Sequence, residues 1–212
     1  MAIEQVLVVK AELLNLPAKE YICNEQEIEA FLGAAANYTF LDRPQAEKDA
    51  CYKQLIPYVT IICRGDVLAL ERTTAQSEAR LHGKLSLGVG GHINPADEGR
   101  DLAETISQAM ARELQEELWL KPAAAPLLAG LINDDTNSVG SVHLGIHCIL
   151  QVQYRPRVRE TDKMKALWVK PSQLEALRPR LETWSQILLP ALAKAVHFQE
   201  TTAPTADNTA RT

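Results

Sequence analysis

Arg112-Glu113-Leu114-Gln115-Glu116-Glu117 places three carboxylates at positions i, i+3 and i+4 of a segment whose apolar residues recur every four positions. Leu102, Ile106, Met110, Leu114 and Leu118 form that series, which predicts an amphipathic helix over about 102–118 with one buried stripe. Asp101 is the expected N-cap, Glu104 stands at the capping-box position three residues later, and Pro122 is expected to end the helix. At about 100° per residue, Glu113, Glu116 and Glu117 fall within an arc of about 100° beside Leu114. They share one semi-buried edge. Glu113 and Glu117 are like charges at i and i+4, a pairing that costs a few tenths of a kcal/mol when exposed and more when desolvated. A solvated helix face braced by an Arg112–Glu116 pair is one reading. The spacing favours another, in which a hard divalent cation such as magnesium or manganese sits among the carboxylate oxygens.

Working outward, Lys84 to Ile93 (KLSLGVGGHI) reads as a short strand broken by Gly88, Gly90 and Gly91, where backbone can bend or approach a ligand closely. Gly90 and Gly91 could instead serve only a β-bulge. Upstream, Tyr58 to Cys63, a turn at Arg64-Gly65-Asp66 and Val67 to Leu70 make a hairpin signal. Downstream, strands are expected at Leu127 to Ile132 and Ser141 to Val152, joined by the turn-rich Asn133-Asp134-Asp135-Thr136-Asn137. A short strand at Ala166 to Val169 precedes a closing helix between about Pro171 and Val196, broken by Pro179 and Pro190. Strands, a central helix, more strands and a last helix give an α/β class, most economically an α/β/α sandwich with a mixed central sheet. Residues 1–57, with an apolar run at Val6 to Val9 and a helix near Glu25 to Leu32, read as an N-terminal extension packed on or capping a core at 58–198. The polar residues 199–212 read as a disordered tail.

The glutamate helix resembles the signature of the Nudix hydrolases: a Gly, five residues, a Glu, seven residues, then Arg-Glu, a bulky aliphatic, any residue, Glu-Glu, any residue, a Gly and a final aliphatic. Glu104, the seven residues after it, Arg112 to Leu118 and Leu120 match at the required spacing. There are two departures. Trp119 replaces the late Gly, so the turn after the helix must be made differently, and the early Gly is represented by Gly90-Gly91, which lengthens the intervening loop by about seven residues. Lys53 to Tyr58, the GVGGHIN stretch, the NDD segment and VHLG are further similar to a bacterial branch of predicted Nudix phosphoesterases. The resemblance implies a Nudix-like fold in which Glu113, Glu116 and Glu117 bind Mg2+ or Mn2+ and Gly90 offers a carbonyl to a metal. It implies that Arg112 orients the glutamates and that Glu113 and Glu116 take part in catalysis, Glu113 as a metal ligand or as the base. The implied reaction is metal-assisted cleavage of a phosphoanhydride, in a nucleoside diphosphate linked to another group. An isomerase of isoprenoid diphosphates shares the fold but needs a dedicated Cys and Glu, for which no matched pair stands out. A catalytically silent nucleotide-binding module is the reading from another class; three costly like charges argue against it.

Other candidates are less specific. Asp134 and Asp135 occupy a position where some family members place an extra acid, although turn chemistry alone explains Asp there; Glu160 and Asp162 are similar cases. Glu104 is explained by capping alone. His143 and His147 share one strand face, opposite Leu144, Ile146 and Cys148, and are candidates to line a substrate cleft. Tyr21, Tyr38, Tyr52 and Trp168 are candidate stacking residues, each as well suited to a core.

At 212 residues the chain can bury a sizeable core without disulfides, and Cys23, Cys51, Cys63 and Cys148 form no CxxC pair, which fits a reducing cytoplasm. A net charge of −5 argues against a nucleic-acid polymer as partner. It leaves room for a small phosphorylated, nucleotide-derived substrate, because a bound cation reverses the local sign. No apolar stretch reaches the length of a membrane span, and no basic-apolar leader opens the chain. The first 57 residues could equally dock a twin subunit, so a homodimer is a candidate state.

Overall fold

The structure is a computed structural model that describes residues 3–73, 83–121, 124–159, 161–162 and 164–202. Its hairpin joins β4 (Tyr52–Cys63) to β5 (Asp66–Arg72). The two turn residues, Arg64 and Gly65, both have positive φ, 52° and 84°, the backbone that a two-residue loop needs to match strand twist. β4 begins six residues before Tyr58 and runs through Pro57. Pro57 is tolerated because it lies where the strand exchanges one neighbour for another: β1 (Gln5–Lys10) pairs with residues 52–54, and β7 (Val89–Gly90) with residues 58–59. A boundary between 57 and 58 therefore falls inside a central strand.

The main sheet has ten strands, with the order β12 (Met164–Val169), β5, β4, β10 (His143–Val152), β9 (Leu127–Asp134), β2 (Lys19–Ile22). β4 and β10 run parallel over ten paired residues while their other neighbours are antiparallel, so the sheet is mixed. β3 (Thr39–Asp42) pairs with β1, and β6 (Leu85–Ser86) with β5. The segment before residue 58 thus supplies β1, β2 and β3 to the sheet itself, along with α1 (Glu25–Ala35) and α2 (Arg43–Ala46).

Alternation along β4 and β10 sends side chains to two cores. Leu55, Val59, Ile61, Leu144, Ile146 and Cys148 pack under α3 (Leu102–Glu117), whose Leu102, Ile106, Met110 and Leu114 form the expected stripe. Tyr58, Ile62 and Ile132 pack under α5 (Thr183–Thr202) against Leu188, Leu189 and Leu192. The layers are helix, sheet, helix. α4 (Pro171–Leu174) and a 3-10 turn over Glu175–Arg180 lead into α5. Pro179 lies in that turn, but Pro190 does not break α5. Its missing N–H would have served the Gln186 carbonyl, to which Arg178 Nη1 donates instead at 3.5 Å. α5 continues to Thr202, so the residues from 199 to 202 are helical, and the remainder of the expected tail lies outside the described residues.

α3 stops at Glu117, ahead of Pro122, which also lies outside the described residues. Leu118, at φ −128°, passes straight into β8 (Leu118–Trp119), which pairs with β11 (Arg157–Val158). An extended exit needs no left-handed residue, so Trp119 can stand where a Gly was expected. Among the described residues no helix is long and apolar enough to cross a membrane.

Candidate active site

Two parts of the chain meet at the site: the end of α3 and the backbone after β7. Arg112 ties them together. Its Nε and Nη2 donate to Asp97 Oδ1 and Oδ2 at 2.9 and 2.8 Å, its Nη2 also donates to the His92 carbonyl at 2.8 Å, and its Nη1 donates to Glu113 Oε1 at 2.6 Å. Glu116 is a looser partner, at 3.5 Å from Nη1. The planar fork of the guanidinium makes this geometry available to Arg and not to Lys. Asp97 is buried in a 3-10 turn (Pro95–Asp97), where its Oδ2 also accepts from Asn94 N–H. Burial would raise its carboxyl, but the hydrogen bonds from Arg112 and Asn94 outweigh that and hold it below the ordinary Asp value. The hydrogen bond to Asp97 raises Arg112 further above its already high value. Asp97 was missed in the sequence; its only local signal was an acid in a loop.

Burial raises the pKa of Glu113, Arg112 opposes the shift, and the charges of Glu116 and Asp97 add to it. Glu113 packs directly on Gly91, where a Cβ would lie 2.2 Å from Oε1. A Cβ on Gly90 would lie 2.3 Å from the Pro57 carbonyl. Close approach of backbone thus requires Gly90, whereas a side chain at Gly91 would displace the Glu113 carboxylate. Glu116 is exposed, and with Glu117, Gln108 and Arg159 it lines an open depression along the outer edge of α3. The Arg159 guanidinium lies 3.7 Å from the ring centroid of Trp119, held beside the glutamates by that stacking. Glu104 is elsewhere: its Oε2 accepts from Arg100 N and Nε, while Asp101 caps α3 by accepting from Glu104 N.

On the other side of Gly90 and Gly91 opens a cavity of about 510 Å3. Arg43, Lys84, His92, His143, Glu182 and Trp184 are among its lining side chains. His143 thus reaches the cavity from the start of β10. His147, four residues further along the strand on the same face, does not. It is buried between Tyr21 OH and Thr60 Oγ1, at 2.9 and 3.0 Å, and burial pushes its pKa down to about 3. Asp134 is fully buried and occupied by the turn, accepting from Thr136 N at 3.2 Å and Asn137 Nδ2 at 2.9 Å. Asp135 forms an ion pair with Lys53, whose Nζ also donates to the Gly140 carbonyl at 2.8 Å. Neither aspartate lines the cavity. Glu160 lies outside the described residues.

The aromatic candidates are likewise redistributed. Tyr21 is bonded to His147, Tyr38 packs on Phe40, Tyr52 packs with Val6 and Val8, and Trp168 stacks with Arg155. The cavity's aromatic residues are Tyr58 and Trp184, whose rings meet edge to face at 5.8 Å. Tyr58 OH is held by Glu182 Oε1, Ser86 and Ser185 at 2.7–2.9 Å. None of the four cysteines lines the cavity.

Residues 56–192 match the model of the NUDIX domain. The chain is 42% identical over 172 residues to protein YmaB of Bacillus subtilis (strain 168), an alignment covering 78% of this chain and 82% of that one. It is similar to the crystal structure of Tm1382, a protein assigned to the Nudix hydrolases, with a TM-score of 0.77 and 31% identity over 91% of this chain and 100% of that one. A bifunctional NMN adenylyltransferase/ADP ribose pyrophosphatase of Francisella tularensis shares the fold at 18% identity and a TM-score of 0.52, covering 68% of this chain and 42% of that one. A domain match over most of the chain, joined to a relative of this identity, places the chain in the Nudix family.

Proposed function

We propose that this Nudix-type pyrophosphohydrolase cleaves a phosphoanhydride bond in a nucleoside diphosphate linked to another group, using Mg2+ or Mn2+ held by Glu113, Glu116 and Glu117. The observation that carries the reading is the position of three carboxylates on one edge of α3, of which Glu113 packs against Gly91, a residue that also lines a cavity of nucleotide size. The donor set suits a hard divalent ion: all oxygen, partly exposed, and three carboxylates set beside the guanidiniums of Arg112, which Asp97 shares, and Arg159. A bound ion of this kind supplies Lewis acidity and a coordinated water acidic enough to act as nucleophile near neutral pH.

The chain's own residues do the rest. Arg112 fixes Glu113 through Oε1, so that its carboxylate serves as ligand or takes the proton of the attacking water. Gly90 and Gly91 let the backbone approach the carboxylates, and the Gly90 carbonyl is the candidate backbone ligand. Arg43 and Lys84 supply positive charge in the cavity for phosphate oxygens. Trp184 offers an aromatic face for a base. The Francisella protein was solved with AMP and a manganese ion, the ligand class that such a cavity would take.

The test is turnover of nucleoside triphosphates, dinucleoside polyphosphates, ADP-ribose and other nucleotide sugars with Mg2+ or Mn2+, read as pyrophosphatase-coupled phosphate for the triphosphates and, for the others, as phosphate that alkaline phosphatase frees from the newly formed phosphomonoesters. Metal-dependent turnover that disappears in Glu116→Gln is expected. Silence across the panel, with nucleotide binding retained by calorimetry, would instead make the chain a binding module.

A further inference from the structure

Glu47, His92 and His143 bring three ligand-capable side chains together from separate parts of the chain: the end of α2, the residue after Gly91 and the start of β10. Their donor atoms all lie within 4.8 Å of one another. The imidazoles face each other through Nε2 at 3.4 Å, and the Glu47 carboxylate stands 4.0 Å from His143 Nε2. Two nitrogens on one tetrahedral zinc, each bound at about 2.05 Å, stand about 3.3 Å apart. The histidine pair already has that separation.

The hydrogen bonding points the same way. His143 Nδ1 is 2.7 Å from the Val139 carbonyl, which can only accept, so Nδ1 carries the ring proton and Nε2 turns its lone pair toward His92. Fixing a metal-binding imidazole through its other nitrogen is a general device of metal sites. Gln54 is the residue paired with His143 across the β4–β10 ladder, so the two side chains share a sheet face. Gln54 is fully buried, and neither its Oε1 nor its Nε2 has a hydrogen-bond partner in the structure. An unpaired buried amide is costly, and a hydrated ion on the neighbouring imidazole is a partner of the right polarity.

We propose that Glu47, His92 and His143 form a second divalent-metal site, selective for zinc or a similar late first-row ion over magnesium. Imidazole nitrogen favours such ions, whereas magnesium prefers an all-oxygen shell like that of the α3 glutamates. Two imidazoles and a carboxylate leave a fourth position open. Because His92 and His143 line the cavity, that position faces it, where water or a phosphate oxygen of a bound ligand would complete the shell. Arg43 donates to Glu47 Oε1 at 3.4 Å. It orients the carboxylate while its charge opposes a cation, so the affinity is expected to be moderate.

The test titrates Co2+ into metal-free, full-length protein in excess Mg2+. Wild type and Glu116→Gln are both expected to take up one equivalent with the visible bands of four-coordinate cobalt, whereas His92→Asn and Glu47→Gln bind it at least ~10-fold more weakly. His92 is partly exposed and Glu47 is at the surface, so neither change threatens the fold. Zn2+ at about 100 times its Kd should raise Tm by roughly 5–10 °C in wild type and not in His92→Asn. A wild type with no four-coordinate spectrum at one equivalent overturns the proposal and leaves an ordinary hydrogen bond between the two rings. So does an unchanged spectrum in His92→Asn, or a spectrum lost in Glu116→Gln, which would assign the ion to the α3 carboxylates.

Discussion

The two faces of the sheet both carry clusters of ionisable side chains, and they settle their polarity in opposite ways. Under α5, His147 lies between Tyr21 and Thr60, and Tyr58 OH is shared by Ser86, Ser185 and Glu182, so each polar group is matched by a neighbour inside the protein. At the end of α3, Asp97, Glu113 and Glu116 gather around the Arg112 guanidinium and Glu117 lines the same open depression, so that four carboxylates face the guanidiniums of Arg112 and Arg159. A matched cluster specifies structure. A cluster with more carboxylates than guanidiniums along an open depression is built for something that arrives from solution. Residue type alone does not separate the two cases, because both faces offer acids, hydroxyls or imidazoles with displaced pKa values.

This contrast can be broken by substitution. The largest effect is expected at Glu116→Gln, where kcat/KM should fall about 10²–10³-fold, the size of losing one strong electrostatic contact, while thermal stability stays within a degree or two. A Tm that fell sharply with activity would show that Glu116 is structural. Next in size is Asp97→Asn, which leaves Arg112 half-paired in a partly buried site and should cost about 2–3 kcal/mol in urea unfolding. The Asp97 pKa is depressed in the folded state, so its contribution is present above the unfolded value near 3.9 and is lost as pH falls through the lower folded value. The stability gap between wild type and Asp97→Asn should therefore persist to about pH 4 and close only below it.

His147→Asn sharpens the other side. It should lower stability by about 1–2 kcal/mol and leave kcat/KM within about twofold, since His147 is enclosed in the α5-side core. A large kinetic defect with little loss of stability would move His147 into the site. The smallest effect is at Glu117→Gln, where metal-free stability should change by no more than a few tenths of a kcal/mol.

The sequence made some of this legible and concealed the rest for definable reasons. α3, its Asp101 cap and the row of glutamates were readable because helical periodicity and the i, i+3, i+4 spacing are local. β4 was read as starting at Tyr58 because Pro57 looks like a boundary, whereas its cost vanishes where the strand changes partners from β1 to β7. Asp97, Arg43, Glu47 and Trp184 were invisible as site residues, since each reaches the site through a pairing or packing contact distant in sequence. Asp134 and Asp135 were readable as candidate acids, but the turn at Asn133 to Asn137 and Lys53 occupy them. His143 and His147 were correctly placed on one face. Four residues along a strand separate a cavity wall from a core, and alternation cannot register that difference.

The central claim is that the carboxylate cluster on α3 is a metal site, and a Mn2+ binding isotherm followed by electron paramagnetic resonance tests it most directly. Mn2+ suits carboxylate oxygen better than imidazole, so the isotherm reports on the glutamates. Saturable binding in wild type and in His147→Asn, weakened at least ~10-fold in Glu113→Gln, is the predicted result. Equal isotherms for wild type and Glu113→Gln would contradict the claim and leave the three glutamates as a solvated helix face.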